Sequence, residues 1–435
     1  MIPQFLRDDY PLEKHLFLIP KFALRLIGFY PESKLNTPLL CWAFFNFLLL
    51  GYGSYAEFTY GIHYLTIDMQ TALDALCPVL SSIMSFIKIF FIWWHRSEYK
   101  HLIEEVRRLT AAQSSRKNVH IKRKFFTIAT RLTALVLFFG FNTSTAYTVR
   151  LVISNTILYL NQQPMPIYPL TCILSHWHGY ITVAGFVGAD GFFLGFCFYF
   201  ATLFKMLQQD LSDALAVNNC KSVNATMYLA LLDKNSQAIR CEADMVSNLT
   251  DIIRRHNEIA QLMKKFSSIM VGIVLSHFIT SSLIIGTSFS GYAILVYIVH
   301  TCAVIAEISL YCLGGTAVME CVIPSSTKSS PGIMPFQNTE TTNLTHTNFQ
   351  NSSSSKRLAN EELALQAYCS QWYDYSVRIQ KMILLIMVRS QQTITVKVPF
   401  LTPALPMLAA VCIVIVYPAI LRFAGSVITL FKTTI

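Results

Sequence analysis

The sequence is short of charge. Of its 435 residues only 13% are Asp, Glu, Lys or Arg, about half of the roughly 25% carried by soluble globular domains. So few charges exclude the polar, self-repelling chains that stay disordered in water. Seventeen glycines are too few for a collagen-like repeat. Catalytic signatures are missing too: there is no GxGxxG or phosphate-loop run, no HExxH, no GxSxG and no kinase signature. Facing Glu-x-x-His pairs of the di-iron kind are absent as well. The eleven cysteines offer no pair at zinc-ligand spacing, and a buried cysteine acting as a small hydrophobe is their ordinary role. No enzyme, cofactor or metal is expected from these absences.

What is abundant is apolar surface. The chain is 53% hydrophobic, with 31 Phe and 20 Tyr. Such a balance needs a second solvent besides water, and we read the chain as an integral membrane protein. A window of roughly 19 residues finds apolar stretches near 37–60, 70–94, 125–159, 180–208, 266–288 and 292–318, then a composite seventh, 376–396 with 404–431. Each reaches the roughly 20 residues that a helix needs to cross about 30 Å of hydrocarbon. Backbone groups in lipid must be satisfied internally, and these runs lack the alternation of barrel strands. The fold expected is all-α, a seven-helix membrane bundle with a split seventh helix.

Basic residues between the spans set the orientation. The formal net charge is +10, which raises the question of nucleic acid. Lys and Arg are however scattered between apolar runs instead of forming one patch with interleaved aromatics, so no nucleic-acid partner is expected. They crowd the N-terminal segment (Arg7, Lys14, Lys21, Arg25, Lys34) and the second, fourth and sixth connections. Residues 61–69, 161–179 and 289–291 contain none. The positive-inside rule then predicts a cytoplasmic N-terminus and, after seven spans, an extracellular C-terminus. A G-protein-coupled receptor has the reverse arrangement. Residues 1–36 lack the uninterrupted apolar core of a secretory signal. Within them 14–30 predicts a short helix, either at the membrane interface or packed on the bundle, both readings being open.

Two connections stand out. From 209 to 265 apolar residues including Met245, Leu249, Ile252 and Ile259 recur at helical spacing among charges, which predicts a cytoplasmic helical layer extending the fourth and fifth spans. Residues 323–356 are rich in Ser, Thr and Asn, and this composition predicts a disordered cytoplasmic insert. The sequons at Asn343 and Asn351 within it, and those at Asn224 and Asn248, are expected to face the cytosol unused.

Ionisable groups inside spans are costly and mark a pathway or a buried pair. Lys88, Arg131 and Arg389 lie near enough to the inner boundary to snorkel. Asp190, mid-span in GFVGADGFFLG, cannot, and needs a partner or a wet cavity. His176 and His178 flank Trp177 in what reads as a wet outer loop, which also holds Cys172. Aromatic and small residues in the outer halves of spans two, three, four and six form a candidate apolar ligand pocket: Val79, Ile83, Phe86, Phe141, Ser144, Tyr147, Phe186, Tyr297 and His300. Ordinary helix packing accounts for any one of them alone.

The C-terminal quarter reads AYCSQWYDYSVRIQKMILLIMVRSQQTITVKVPFLTPALP and then ILRFAGSVITLFKTTI. It resembles the insect odorant receptor family through Trp372 and Tyr373, the basic helix bearing Arg378 and Lys381, the triplet Arg389, Ser390 and Gln391, and a short amphipathic last helix. Tyr311 and Cys312 followed by Gly314 match as well, and no DRY triplet ends the third span. The likeness runs through the whole chain, 1–435, as one receptor domain, with the specific motif at 365–435. It implies a tuning receptor: a ligand-gated cation channel subunit that binds a small volatile and opens a pore in a heterotetramer with a shared odorant co-receptor. It also implies a plasma-membrane location in olfactory sensory neurons. The segment 376–396 would anchor subunits and 404–431 would line the pore, with Gly425, Thr429 and Lys432 on one stripe. A pore-mouth lysine suits a mixed ring better than a homomeric cation pore. Two features depart from the family, the long 323–356 tract and MLAAVCIVIVYPA at 407–419, where Pro418 would kink a pore helix. Each is either an elaboration or retained non-coding sequence. The competing classes are a G-protein-coupled chemoreceptor and a non-channel membrane binding or transport protein.

Overall fold

The computed structural model of the chain describes residues 17–34, 36–112, 116–160, 169–216, 230–288, 294–320, 364, 367–368, 370 and 372–390. Regular structure among them is helical: α1 Leu18–Leu26, α2 Thr37–Tyr64, α3 Met69–Trp94, α4 Arg96–Ala112, α5 Arg116–Leu160, α6 Pro169–Ala216, α7 Ala230–Ser288, α8 Ile294–Glu320 and α9 Val377–Ser390, with a 3-10 turn at Trp372–Asp374. Helices long and apolar enough to cross a membrane include Thr37–Tyr64, Thr71–Trp94, Val119–Ile153, Cys172–Leu215 and Glu242–Ile284, while Cys302–Val318 of α8 is a shorter apolar helix. The first six expected spans therefore coincide with α2, α3, α5, α6, α7 and α8. The segment 376–396 begins as α9. The insert 323–356 and the expected pore segment 404–431 lie outside the described residues.

Two compact units form. One comprises 1–202, 261–316 and 395–435, the other 203–260 and 317–394. In the first, α6 is the central helix, and its apolar residues repeat on every side. A helix that is apolar all round is a buried one. Phe192, Phe193, Phe196 and Phe200 are all fully buried, and the last three interlock with Phe266 of α7 or Tyr311 of α8 at ring separations of 4.6 to 5.9 Å. The outer helices show the opposite pattern. Phe44, Phe45, Tyr52 and Tyr55 of α2, and Leu135, Phe138, Val149 and Ile153 of α5, are exposed. An apolar surface of this extent fits a lipid-facing wall.

The N-terminal helix is packed on the bundle. Of the two readings open for 14–30, the docked one is correct for the described part: Ile19, Pro20, Ala23 and Leu24 of α1 are buried. Its seat is a glycine groove on α6. A Cβ added at Gly188, Gly191 or Gly195 would stand 2.5 to 2.7 Å from Leu24, Pro20 or Phe17 respectively. Three glycines at helical spacing let α1 approach closely. The following turn is set by Gly28, whose φ of +87° places it in the left-handed region. Its N–H donates to Arg25 O at 3.2 Å and Phe29 N–H to Leu24 O at 2.8 Å, satisfying the last carbonyls of α1. Beyond it the Tyr30 hydroxyl donates to Glu32 at 2.7 Å, and Arg107 of α4 pairs with Glu32 at 2.8 Å. Burial, and then the bond to Glu32, hold that hydroxyl above its ordinary pKa.

In the second unit Leu207, Leu211 and Leu215 of α6 pack with Met245, Leu249 and Ile252 of α7 and with Ile379, Ile383 and Ile386 of α9. The helical extension expected at 209–265 is thus present as the C-terminal turns of α6 and the N-terminal half of α7. Arg255 ties the two together, reaching Asp210 and Asp251 at 2.7 Å each.

Two expectations are overturned. His176, Trp177, His178 and Cys172 are not in a loop, because α6 already begins at Pro169, a residue suited to a helix's first position. Their side chains are held: His176 Nδ1 lies 2.7 Å from the Thr148 hydroxyl, Trp177 donates to Asn46 Oδ1 at 2.9 Å, and His178 is only 5% exposed. Nor does Lys88 snorkel. Its side chain is completely buried, and its partner is Asp190.

Candidate functional site

Asp190 sits at the middle of α6, where sequence reasoning demanded a partner. Two are Lys88 of α3 and Tyr311 of α8, in the same unit. Lys88 Nζ of α3 donates to Asp190 Oδ1 at 2.6 Å and lies 3.1 Å from His277 Nδ1 of α7. The Tyr311 hydroxyl of α8 donates to the same carboxylate oxygen at 2.5 Å. An ammonium has only donors, so His277 Nδ1 accepts and its remaining proton is on Nε2, facing the Ser281 hydroxyl at 3.5 Å. The Tyr311 ring stacks on His277 with centroids 4.4 Å apart, and Lys88 Nζ lies 5.7 Å from the centre of the Tyr311 ring and 5.9 Å from that of Phe186. Glu307 of α8, 2% exposed, completes the cluster. Asp190 Oδ2 and Glu307 Oε2 are buried with no hydrogen-bond partner among the described residues.

Asp190, His277 and Glu307 each bring one ligand-type atom within 4.8 Å of the others. That spacing could suit a metal. The Lys88 ammonium argues otherwise, since it already bonds two of the three and would repel a divalent ion at close range. The cluster carries its own cation.

One turn before Asp190 on α6 lies the region of the expected pocket. Phe186 is 6% exposed, and its ring edge lies 3.6 Å from where a Cβ on Gly140 of α5 would stand. Phe141 of α5 meets Tyr180 edge to face at 5.0 Å. Ser144 is buried against Gly179, and its hydroxyl has no partner among the described residues. On α3, Val79 is buried, Ile83 is half-buried and Phe86 stacks on Phe47 of α2 at 4.4 Å. The Ser82 and Thr182 hydroxyls, 3.2 Å apart, join α3 to α6 between these groups. The structure therefore gathers Phe141, Ser144 and Phe186 around α6, while Phe86 faces α2. Tyr147 is half-buried on α5. Tyr297 and His300 belong to α8, but their side chains lie outside the described residues.

Sequence reasoning missed Tyr180, His176 and Thr148, which extend this region with a polar edge: the Thr145 hydroxyl lies 3.3 Å from that of Tyr180. Of these, His176 falls in what reads as a loop, because the apolar run marks the start of α6 too late; Tyr180 and Thr148 lie inside the expected spans without standing out. Trp177, Asn46 and Trp42 were also missed. Asn46 bridges α6 to the end of α1, donating to Ile27 O at 3.3 Å while accepting from Trp177.

The C-terminal motif residues divide by exposure. Trp372 packs on the core of the second unit, whereas Tyr373, Arg378 and Lys381 are exposed. Arg389 hydrogen-bonds Asn257 of α7, and Ser390 is buried. Gln391, Gly425, Thr429 and Lys432 lie outside the described residues.

Comparison with known proteins gives this arrangement its context. The profile of the 7tm odorant receptor family matches residues 68–322 and 356–415. The chain is 44% identical to Odorant receptor 24a of Drosophila melanogaster across the full length of both. It is 24% identical to Odorant receptor 10a of the same fly, over 99% of this chain and 98% of that one. In fold it is similar to the insect olfactory receptor OR5 from Machilis hrabei, with a TM-score of 0.67 at 13% identity over 94% of this chain and 99% of the other. The same receptor in complex with eugenol gives 0.67 at 13% identity over 95% and 99%. A family profile covering most of the sequence, and a relative matched from end to end, converge with the helical architecture: the chain belongs to the 7tm odorant receptor family, and it is a multi-pass membrane odorant receptor.

Proposed function

We propose that this receptor is an odorant-gated cation channel subunit of the tuning type, acting in a heterotetramer with an odorant co-receptor in the plasma membrane. A small volatile binds beside α6 among Val79, Ile83, Phe86, Phe141, Ser144, Tyr147, Phe186, Tyr297 and His300. The observation that carries this reading is the conjunction at α6 of apolar rings, Phe141 and Phe186, with a buried Ser144 hydroxyl that no described residue satisfies. Concave apolar surface with a few polar groups is what a small ligand requires. Binding opens the pore through a higher affinity for the open state. Gly425, Thr429 and Lys432 line that pore, and Trp372, Tyr373, Arg378, Lys381, Arg389, Ser390 and Gln391 serve assembly and anchoring. The N-terminus is cytoplasmic and the C-terminus extracellular, as the basic connections require.

The test is a recording of odour-evoked current in a heterologous cell, with and without the co-receptor. Current that needs both chains supports the proposal. A chain at the cell surface that gives none with any co-receptor and a broad odour panel refutes it. Epitope tags at the two ends of intact cells separate the G-protein-coupled alternative, which requires the N-terminus to be accessible.

A further inference from the structure

The Lys88 cluster is not accounted for by ligand contact or by pore lining. Four helices converge on it: α3 through Lys88, α6 through Asp190, α7 through His277, and α8 through Tyr311 and Glu307. Any displacement of one of these helices along its axis must break a bond made by fully buried groups. Lys88 and Asp190 have side-chain exposures of 0% and 0%. Such bonds have no water to replace them, so the arrangement tolerates a discrete rearrangement better than a graded one.

The cluster also touches the proposed odorant region. Phe186 lies one helical turn before Asp190 on the same face of α6. Its ring is packed toward Gly140 of α5 on one side and lies 5.9 Å from Lys88 Nζ. Ser85, three residues before Lys88 on α3, packs directly against Gly185, the neighbour of Phe186. A ligand that moves Phe186 therefore moves a ring whose centre lies 5.9 Å from the ammonium.

We infer that Lys88 and Asp190 are positioning residues for gating: they hold α3, α6, α7 and α8 in one register and convert odorant occupancy at Phe186 into a shift of those helices. The inference rests on the odorant-gated channel reading. Lys88 and Asp190 themselves touch no ligand. Glu307, with a buried oxygen that has no partner among the described residues, offers the ammonium a second carboxyl to which it can transfer when Asp190 moves.

The experiment is a concentration–response recording from the full-length receptor with its co-receptor. The double variant Lys88→Met/Asp190→Leu replaces the pair by apolar groups of similar size, a change that buried pairs commonly tolerate in folding. At normal surface level, as measured by surface biotinylation, the double variant is expected to shift the half-maximal odorant concentration or the ligand-free current on the order of tenfold, the usual size of a coupling between sites. Wild-type concentration dependence and wild-type ligand-free current in that variant would show the pair to be packing only and overturn the inference. If the double variant does not reach the surface, Tyr311→Phe decides, since it removes one hydrogen bond to Asp190 and keeps the ion pair. A shifted concentration dependence supports the inference, and an unchanged one overturns it. Failure of the channel reading itself is distinguished by the wild-type receptor, which then gives no odour-evoked current at all.

Discussion

Replacing Gly191 by alanine sets two effects of known size against each other. In a helix interior alanine is favoured over glycine by about 1 kcal/mol. Against this, the added methyl would stand 2.6 Å from Pro20 Cγ of α1 and 2.8 Å from Thr133 Cγ2 of α5. Pro20 is a rigid ring, and the two obstacles belong to different helices, so retreat from one does not relieve the other. Overpacking of this kind costs about 1–3 kcal/mol, and the upper half of that range applies where neither neighbour can rotate away. Gly191→Ala should therefore lose roughly 1–2 kcal/mol net, a factor of about 5–30 in the folded ratio. Gly51→Ala is the internal control. Its methyl would meet only Phe86 Cε2 at 3.6 Å, an ordinary contact, so the propensity gain should survive and stability should hold or rise by up to about 1 kcal/mol. Thermal melting of the purified full-length receptor in detergent measures both. Docking of α1 is read separately by mass-spectrometric maleimide labelling at Leu24→Cys, since Leu24 is fully buried. The thiol should be protected in the parent and labelled when Gly191→Leu is added. A Gly191→Ala receptor that melts no lower than Gly51→Ala, with the thiol protected throughout, would refute the seating of α1 on α6.

Three further outcomes are expected. Asp190→Ala leaves the Lys88 ammonium buried with His277 as its remaining hydrogen-bond partner; losing one member of a buried pair costs about 3–5 kcal/mol, so surface expression should collapse, and a normal surface level would contradict the pairing. Ser144→Ala should raise the half-maximal concentration of oxygen-bearing odorants by roughly the value of one hydrogen bond, about 0.5–1.5 kcal/mol, while leaving hydrocarbon odorants unaffected; equal effects on both would exclude Ser144 as a polar contact. Arg255→Ala removes the ion pair from α7 to Asp210 of α6 and one of the two arginines on Asp251, which keeps Arg254. Arg255 is half-buried, so its loss should reduce protease resistance of the second unit more than that of the first, as limited proteolysis with peptide mapping would report.

How far the sequence was readable depends on which force set each feature. Spans were legible because bilayer thickness fixes helix length, and the ends of α2 and α3 fall within a few residues of the apolar runs that announced them. The α7 extension was legible because Met245, Leu249 and Ile252 keep helical spacing. Asp190 announced itself by cost alone. Its partner did not: Lys88 lies six residues before the end of α3, close enough to water by count to suggest snorkelling, and only the tertiary arrangement shows that α6 and α7 enclose it. The start of α6 was misplaced because His176 and His178 read as wet, whereas Thr148, Asn46 and the wall of α2 satisfy or bury that segment. The docking of α1 was encoded in Gly188, Gly191 and Gly195, but a small-residue stripe announces close approach without saying what approaches. For the pocket, residue type and depth pointed to Phe141, Ser144 and Phe186. His176 needed the true helix boundary.

The account stands most directly on a single recording: whole-cell current from cells expressing this receptor with an odorant co-receptor, during odour application and with internal G-protein signalling blocked by a non-hydrolysable GDP analogue. A channel subunit predicts a cation current that rises with odorant, persists under the block and disappears when this chain is omitted. A response abolished by the block, or a surface-expressed pair silent to every odorant of a broad panel, would contradict it.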